Sequence, residues 1–131
     1  GSKDNVKLGT AVLDGEFLVG KVIEVNYLTS RVLLVSDLNS KIPVSIEPGG
    51  IQSILTGSGD KFGRLQYTQI DNLDLKNGSQ IFTSGSGGIF QSGIPIGKIN
   101  IVDDSNDGYV LFHSDFSQLR LVKIVSYEKL N

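Results

Sequence analysis

The sequence predicts an all-β chain: a small barrel or sandwich made of two packed copies of one unit. Three observations carry this. Val and Ile together number 25 of the 131 residues, against a single Ala, Ala11. β-Branched side chains fit a pleated sheet better than a helix, so a helical bundle is excluded on composition. Short apolar segments recur at a spacing of about 8–12 residues, split by turn-forming clusters, which is the pattern of a small barrel or sandwich. The chain also repeats itself.

The expected strands, in order, are 10–13, 18–25, 31–36, 41–46, 52–56, 64–69, 80–83, 97–102, 108–113 and 120–127. The breaks between them include Asp14-Gly15, Asp37-Leu38-Asn39-Ser40, Pro48-Gly49-Gly50, Gly57-Ser58-Gly59-Asp60 and Asn77-Gly78. Gly supplies positive φ there, and Asn and Asp bond their own backbone. Segment 31–36 is almost continuously apolar, which reads as a central strand. Segment 41–46 alternates, so Ile42, Val44 and Ile46 face one way. Its Pro43 offers no donor, which suggests a strand edge at that point.

Three ordered matches make the repeat. Val6-Lys7-Leu8-Gly9-Thr10-Ala11-Val12 resembles Leu75-Lys76-Asn77-Gly78-Ser79-Gln80-Ile81. Val19-Gly20-Lys21-Val22-Ile23 matches Ile96-Gly97-Lys98-Ile99-Asn100, and Val32 to Asp37 matches Val110 to Asp115. The second copy carries a longer loop, Ser84 to Pro95. The expected division is a first barrel over 1–62, lacking its N-terminal strands, and a second over 63–131. A strand exchanged between the barrels, or one barrel nested within the other, fits the repeat equally. Units of about 60 residues are marginal alone, so the halves should pack together.

Composition narrows the function. With no Cys there is no disulfide framework, thiolate nucleophile or Cys-ligated zinc. Twelve basic and fourteen acidic residues give a net charge of −2, with Lys and Arg scattered singly, so no nucleic-acid-binding face is expected. No apolar run approaches the ~18 residues of a membrane span. The absence of Met points to a piece of a longer chain, and Gly1-Ser2 reads either as a tag scar or as native sequence.

No catalytic set stands out. The single His, His113, sits beside Ser114 and Asp115, but neighbours on a strand face opposite ways and do not make a triad. His113 occupies the place of Val35 in the repeat, a core or edge position. The loop Ser84-Gly85-Ser86-Gly87-Gly88-Ile89-Phe90 is glycine-rich, yet no helix can follow it, as a phosphate loop requires. It either displays Ile89 and Phe90 to a partner or plugs its own barrel with Phe90. Asp71 to Asp74 and Asp103 to Gly108 read as solvated turns. The second lacks the Glu that a calcium loop needs six residues after its Gly. No metal or cofactor is expected. Phe17, Ile89, Phe90 and Tyr109 are the partner-binding candidates, as large apolar residues in or beside loops.

These segments together resemble the rod shape-determining MreC family. The resemblance rests on Leu18-Val19-Gly20-Lys21-Val22-Ile23-Glu24-Val25, on Arg31 to Val44, and on Val6 to Val12. In the second half it rests on Leu75 to Gly78, Thr83 to Phe90 and Gly93-Ile94-Pro95-Ile96-Gly97-Lys98-Ile99. It implies two small packed β-barrels with chymotrypsin-like topology and no catalytic triad. It also implies a non-catalytic scaffold of cell-wall elongation on the periplasmic side of the inner membrane, anchored through an N-terminal helix missing here. The implied partners are a class B penicillin-binding transpeptidase, MreD and other elongation proteins, and further copies of itself as a dimer or filament. The family often has Pro where this chain has Gln91-Ser92, which implies a less rigid loop here. Two other readings compete. A protease-like hydrolase would use His113. A carbohydrate-binding β-domain would need surface aromatics, which a chain without Trp and with four Tyr supplies poorly.

Overall fold

A computed structural model describes residues 7–66, 76–101, 108–118 and 123–125. The described residues form ten strands, and each expected segment overlaps one. They are β1 (Ala11–Asp14), β2 (Phe17–Val25), β3 (Ser30–Leu34), β4 (Lys41–Glu47) and β5 (Ile51–Gly57). Then come β6 (Phe62–Gln66), β7 (Gln80–Thr83), β8 (Pro95–Ile101), β9 (Gly108–Phe112) and β10 (Lys123–Val125). The fold is all-β. Strands β4-β5-β6-β9-β8-β7 close into a barrel, and β10-β1-β2-β3 form a four-stranded sheet.

The spatial units are not the sequence halves. A boundary at 62/63 falls inside the β6 hydrogen-bonded ladder, because β4 and β5 belong to the same barrel as β7 to β9. The barrel is nested in sequence between β3 and β10, and β10 returns to pair with β1 through Val12↔Ile124.

The repeat survives in atomic detail. In the first copy Gly9 N–H donates to Val22 O at 2.7 Å, and Val22 N–H donates to Thr10 O at 2.9 Å. In the second copy Gly78 N–H donates to Ile99 O at 2.8 Å, and Ile99 N–H to Ser79 O at 2.8 Å. Gly9 and Gly78 both hold positive φ, 82° and 87°. Each first hairpin carries its bulge at the matching place, at Val12/Leu13 and at Ile81/Phe82. Val35 N–H reaches Val19 O just as His113 N–H reaches Ile96 O, at 2.9 and 3.0 Å. Gly20 and Gly97 explain themselves in the same way. A Cβ on Gly20 would lie 2.6 Å from the Leu33 carbonyl, and one on Gly97 would lie 2.9 Å from Val110 Cγ1 and closer still to the Leu111 carbonyl. Only glycine lets the facing strand come so near.

What differs is closure. Strand β9 lies between β8 and β6, whereas β3, its counterpart, has a described neighbour on one side only, β2. The sequence predicts a central β3; the structure puts it at the sheet edge with Arg31 and Val32 exposed. Its apolar run matches β9, which is central, so the pattern records the repeat rather than the local setting. Pro43 behaves as expected. Pairing of β4 with β7 begins at Val44↔Thr83, and the Pro43 carbonyl accepts the Ser84 N–H at 3.2 Å. The missing donor therefore falls one residue beyond the end of β7.

Ile42, Val44, Ile46, Leu55, Ile81, Ile96, Ile99 and Val110 fill the barrel, all essentially inaccessible. Ala11, Leu18 and Val35 of the sheet unit join that cluster. Val12, Val19 and Val22 form a smaller core on the other face of the sheet, with Val25 and Phe116 against it. Leu18 and Val19 serve different cores because strand neighbours face opposite ways, and the bulge in the β1–β2 pairing lets Val19 and Val22, three residues apart, share one.

Candidate partner-binding surfaces

The Ser84 to Pro95 connection is held by one buried side chain. Thr83 Oγ1 donates to Gln91 O at 2.6 Å and accepts the Ile94 N–H at 2.9 Å. The Thr83 carbonyl takes the Gly93 N–H at 2.8 Å. This clamp fixes the carbonyl of Gln91 and the amides of Gly93 and Ile94. Its consequence separates the two apolar residues of the loop. Phe90 is 3 % exposed and belongs to the main core, while Ile89 is 41 % exposed. Phe90 therefore plugs the barrel and offers no surface to a partner. The loop aromatic could be read either way from sequence, and the clamp decides it. The glycines ahead of it form a single 3-10 turn, Ser86–Gly88, not the start of an α-helix that could cradle a phosphate. Ile89 instead borders a shallow groove of about 320 Å³ with Pro43, Ile54, Gln52 and Ser53 on β4 and β5.

Tyr109 sits on the outside of the barrel, paired across the β6–β9 ladder with Arg64. Its ring stands 6.2 Å from that of Phe62. Together with Ser58 and Asp60 these residues line a second depression of about 420 Å³. It is mainly apolar, with one side chain of each charge at its rim.

Phe17, at the start of β2, is half-buried rather than free. Its ring packs on that of His113, with centroids 4.8 Å apart. His113 follows β9 and its Nε2–H donates to Gln80 Oε1 at 3.2 Å. Partial burial holds the imidazole below its ordinary pKa, helped by the nearby Lys98 ammonium and opposed by Glu16. Asp115 turns elsewhere. Its carboxylate accepts the Ser117 hydroxyl at 2.6 Å and backbone N–H at 3.0 Å, which lowers its pKa. His113 and Asp115 thus bond to different partners, and Ser114 Oγ lies buried with no hydrogen-bond partner among the described residues, so the three side chains form no hydrogen-bonded set. The acidic clusters at 71–74 and 103–107 lie outside the described residues.

Sequence reasoning missed the most exposed apolar pair. Tyr27 and Leu28 tip the β2–β3 hairpin, and Ile23 and Val32 lie exposed on the strands below. Two large apolar residues in a connection of four were the available signal. Among the described residues no cluster of three or more potential metal ligands occurs. No described helix is long and apolar enough to cross a membrane.

The family model for the rod shape-determining protein MreC, barrel core, matches residues 1–126. The chain belongs to the MreC family. The cell shape-determining protein MreC of Cereibacter sphaeroides is 32% identical over 131 residues, covering 99% of this chain and 43% of that protein. The solved structure of MreC from Pseudomonas aeruginosa superimposes with a TM-score of 0.84 at 29% identity, covering 96% of this chain and 84% of that one. A Helicobacter pylori structure, a complex between penicillin-binding protein PBP2 and MreC, shares the fold with a TM-score of 0.69 at 16% identity. It covers 87% of this chain and 74% of that chain. The chain spans less than half the length of the curated relatives it matches.

Proposed function

We propose that this chain is the β-barrel region of a non-catalytic scaffold in cell-wall elongation, which binds and positions peptidoglycan synthases and so maintains rod shape. The observation that carries this is the family match over 1–126, nearly the whole chain. The named relatives are cell shape-determining proteins, and one family structure holds a penicillin-binding protein as partner. The surface supports it, because it offers apolar sites, while His113 and Asp115 bond to different partners. Tyr27 and Leu28 at the hairpin tip, the Ile89 groove and the Tyr109–Phe62 depression are surfaces on which a partner chain would bury apolar area.

In the full-length protein the region would stand on the periplasmic side of the inner membrane, tethered by an upstream helix. A class B transpeptidase is the first partner, with MreD and further copies of the chain as others. Titration of the purified chain against a class B penicillin-binding transpeptidase by calorimetry tests the reading. Saturable binding is expected, weakened by Tyr27→Ser with Leu28→Ser or by Ile89→Ser. Absence of binding at high micromolar concentration by the folded chain overturns it.

A further inference from the structure

The repeat places one reactive pair in a single copy. Leu8-Gly9 and Asn77-Gly78 occupy matching turns: the Lys7 carbonyl accepts the Thr10 N–H at 3.2 Å, and the Lys76 carbonyl accepts the Ser79 N–H at 3.0 Å. Only the second turn puts a side-chain amide ahead of glycine, and Asn77-Gly78 is the one Asn-Gly pair in the chain. An Asn side chain is open to attack by the main-chain nitrogen of the next residue, and glycine, with no Cβ, hinders that nitrogen least. Asn77 and Gly78 are both exposed, and a Cβ on Gly78 would meet nothing within 4 Å. Water and hydroxide therefore reach the pair. One contact opposes the reaction. The Gly78 N–H donates to Ile99 O on β8 at 2.8 Å. The nitrogen that must lose its proton and turn toward the Asn77 side chain is held against the neighbouring strand.

We propose that Asn77 is a deamidation site kept shut by the Gly78–Ile99 hydrogen bond, so that its conversion records the loss of β7–β8 pairing at this end of the barrel. When the bond opens, the Gly78 nitrogen gives its proton to hydroxide and bonds to Asn77 Cγ. The bond from Cγ to the side-chain nitrogen breaks, and ammonia leaves with a proton taken from water. Water then adds across one of the two carbonyl–nitrogen bonds of the cyclic imide. Breaking the bond at Cγ gives aspartate. Breaking the bond at the main-chain carbonyl of residue 77 gives isoaspartate, with the chain now running through Cγ. In sum, an amide and water become a carboxylate and ammonium, and the chain gains one negative charge.

Isoaspartate lengthens the main chain by one carbon just ahead of β7. The paired bonds there, Gly78 N–H to Ile99 O and Ile99 N–H to Ser79 O, both at 2.8 Å, are spaced for the normal chain. The added atom moves Gly78 out of register with Ile99, and a local opening that would have reclosed becomes permanent. Strand β7 also pairs with β4 and so closes the barrel. The matching turn of the sheet holds Leu8 and keeps no such record. The chemistry is the same whether or not the scaffold reading holds.

Incubation of the purified chain in mildly alkaline buffer, folded and in urea, tests this, with the amide-to-acid mass gain read on the peptide that carries Asn77. Conversion should be at least about tenfold slower in the folded chain, the factor that about 1.4 kcal/mol of opening free energy gives. Hydrogen exchange of the Gly78 amide needs the same opening, so it should be slowed by a similar factor. Asn77→Gln, whose longer side chain would have to close a larger ring, should show no gain at this position. The isoaspartate product, separated after reaction, should melt below the unreacted chain. A folded chain that converts as fast as the chain in urea overturns the proposal. So does a Gly78 amide that exchanges without protection while Asn77 stays intact, and neither measurement needs a variant to fold. An isoaspartate product that melts with the unreacted chain overturns the loss of register.

Discussion

Strands β1-β2-β3 and β7-β8-β9 are one design in two settings. Their turns, bulges and glycine contacts agree almost bond for bond. Yet Val110 is wholly buried, and its counterpart Val32 is 38 % exposed. The local sequence does not cause the difference, since both are valines at matching positions. The cause is the neighbouring strand. β6 pairs with β9 and β4 with β7, so the second meander is closed into a barrel; among the described residues the first has β10 on one side and nothing beyond β3. A meander specifies its own register, and its closing partners specify how much of it is buried.

The largest test of this comparison removes matched core side chains. Ile99 fills the barrel, and Val22 occupies the same position in the sheet. Ile99→Ala should cost about 2–5 kcal/mol, because the closed barrel cannot collapse around the cavity. Val22→Ala should cost about 1–2 kcal/mol, the transfer of its methyl groups with little cavity term. Urea unfolding midpoints at unchanged slope give both numbers. Equal losses would break the comparison.

The next test adds an atom instead. A Cβ on Gly97 meets the Leu111 carbonyl, and one on Gly20 meets the Leu33 carbonyl. Both substitutions to Ala force the facing strand away, at about 1–3 kcal/mol. Gly97→Ala should lie at the upper end because β9 is pinned by β6 on its far side. Gly20→Ala should lie at the lower end, since β3 is free to move outward at its edge. Thermal melts of the two variants in parallel rank them directly.

How much of this was legible beforehand follows from the same distinction. Alternation in Ile42, Val44 and Ile46, and turn glycines such as Gly15 and Gly78, are local signals, and the strands fell where they pointed. The repeat was legible because its copies use the same glycine and lysine spacing. Which strands closed the barrel was not legible, since pairing of β6 with β9 joins residues more than 40 apart and leaves no periodic mark. The same held at the surface. Phe90 and Ile89 are neighbours in one loop, and only the Thr83 hydroxyl bonds, reaching 8 and 11 residues along the chain, turn one in and the other out. Phe17 looked like a free loop aromatic because its partner, His113, lies almost a hundred residues away. Tyr27 and Leu28 were a local signal, two apolar residues in a tight connection, and went unread.

The smallest effect is the most discriminating. Val→Thr keeps the shape of the side chain and replaces one methyl by a hydroxyl, so it measures water access rather than packing. At Val110 the hydroxyl would enter an apolar barrel where Ile99 lies across the ladder, and an unpartnered buried hydroxyl costs about 1–3 kcal/mol. At Val32 the same hydroxyl reaches solvent on an edge strand, where Thr is a good strand former, so the change should stay within about 0.5 kcal/mol. A Val32→Thr cost as large as that of Val110→Thr would mean that the open face is covered in solution, and the contrast between the two meanders would then lie in what covers them and not in whether they are closed.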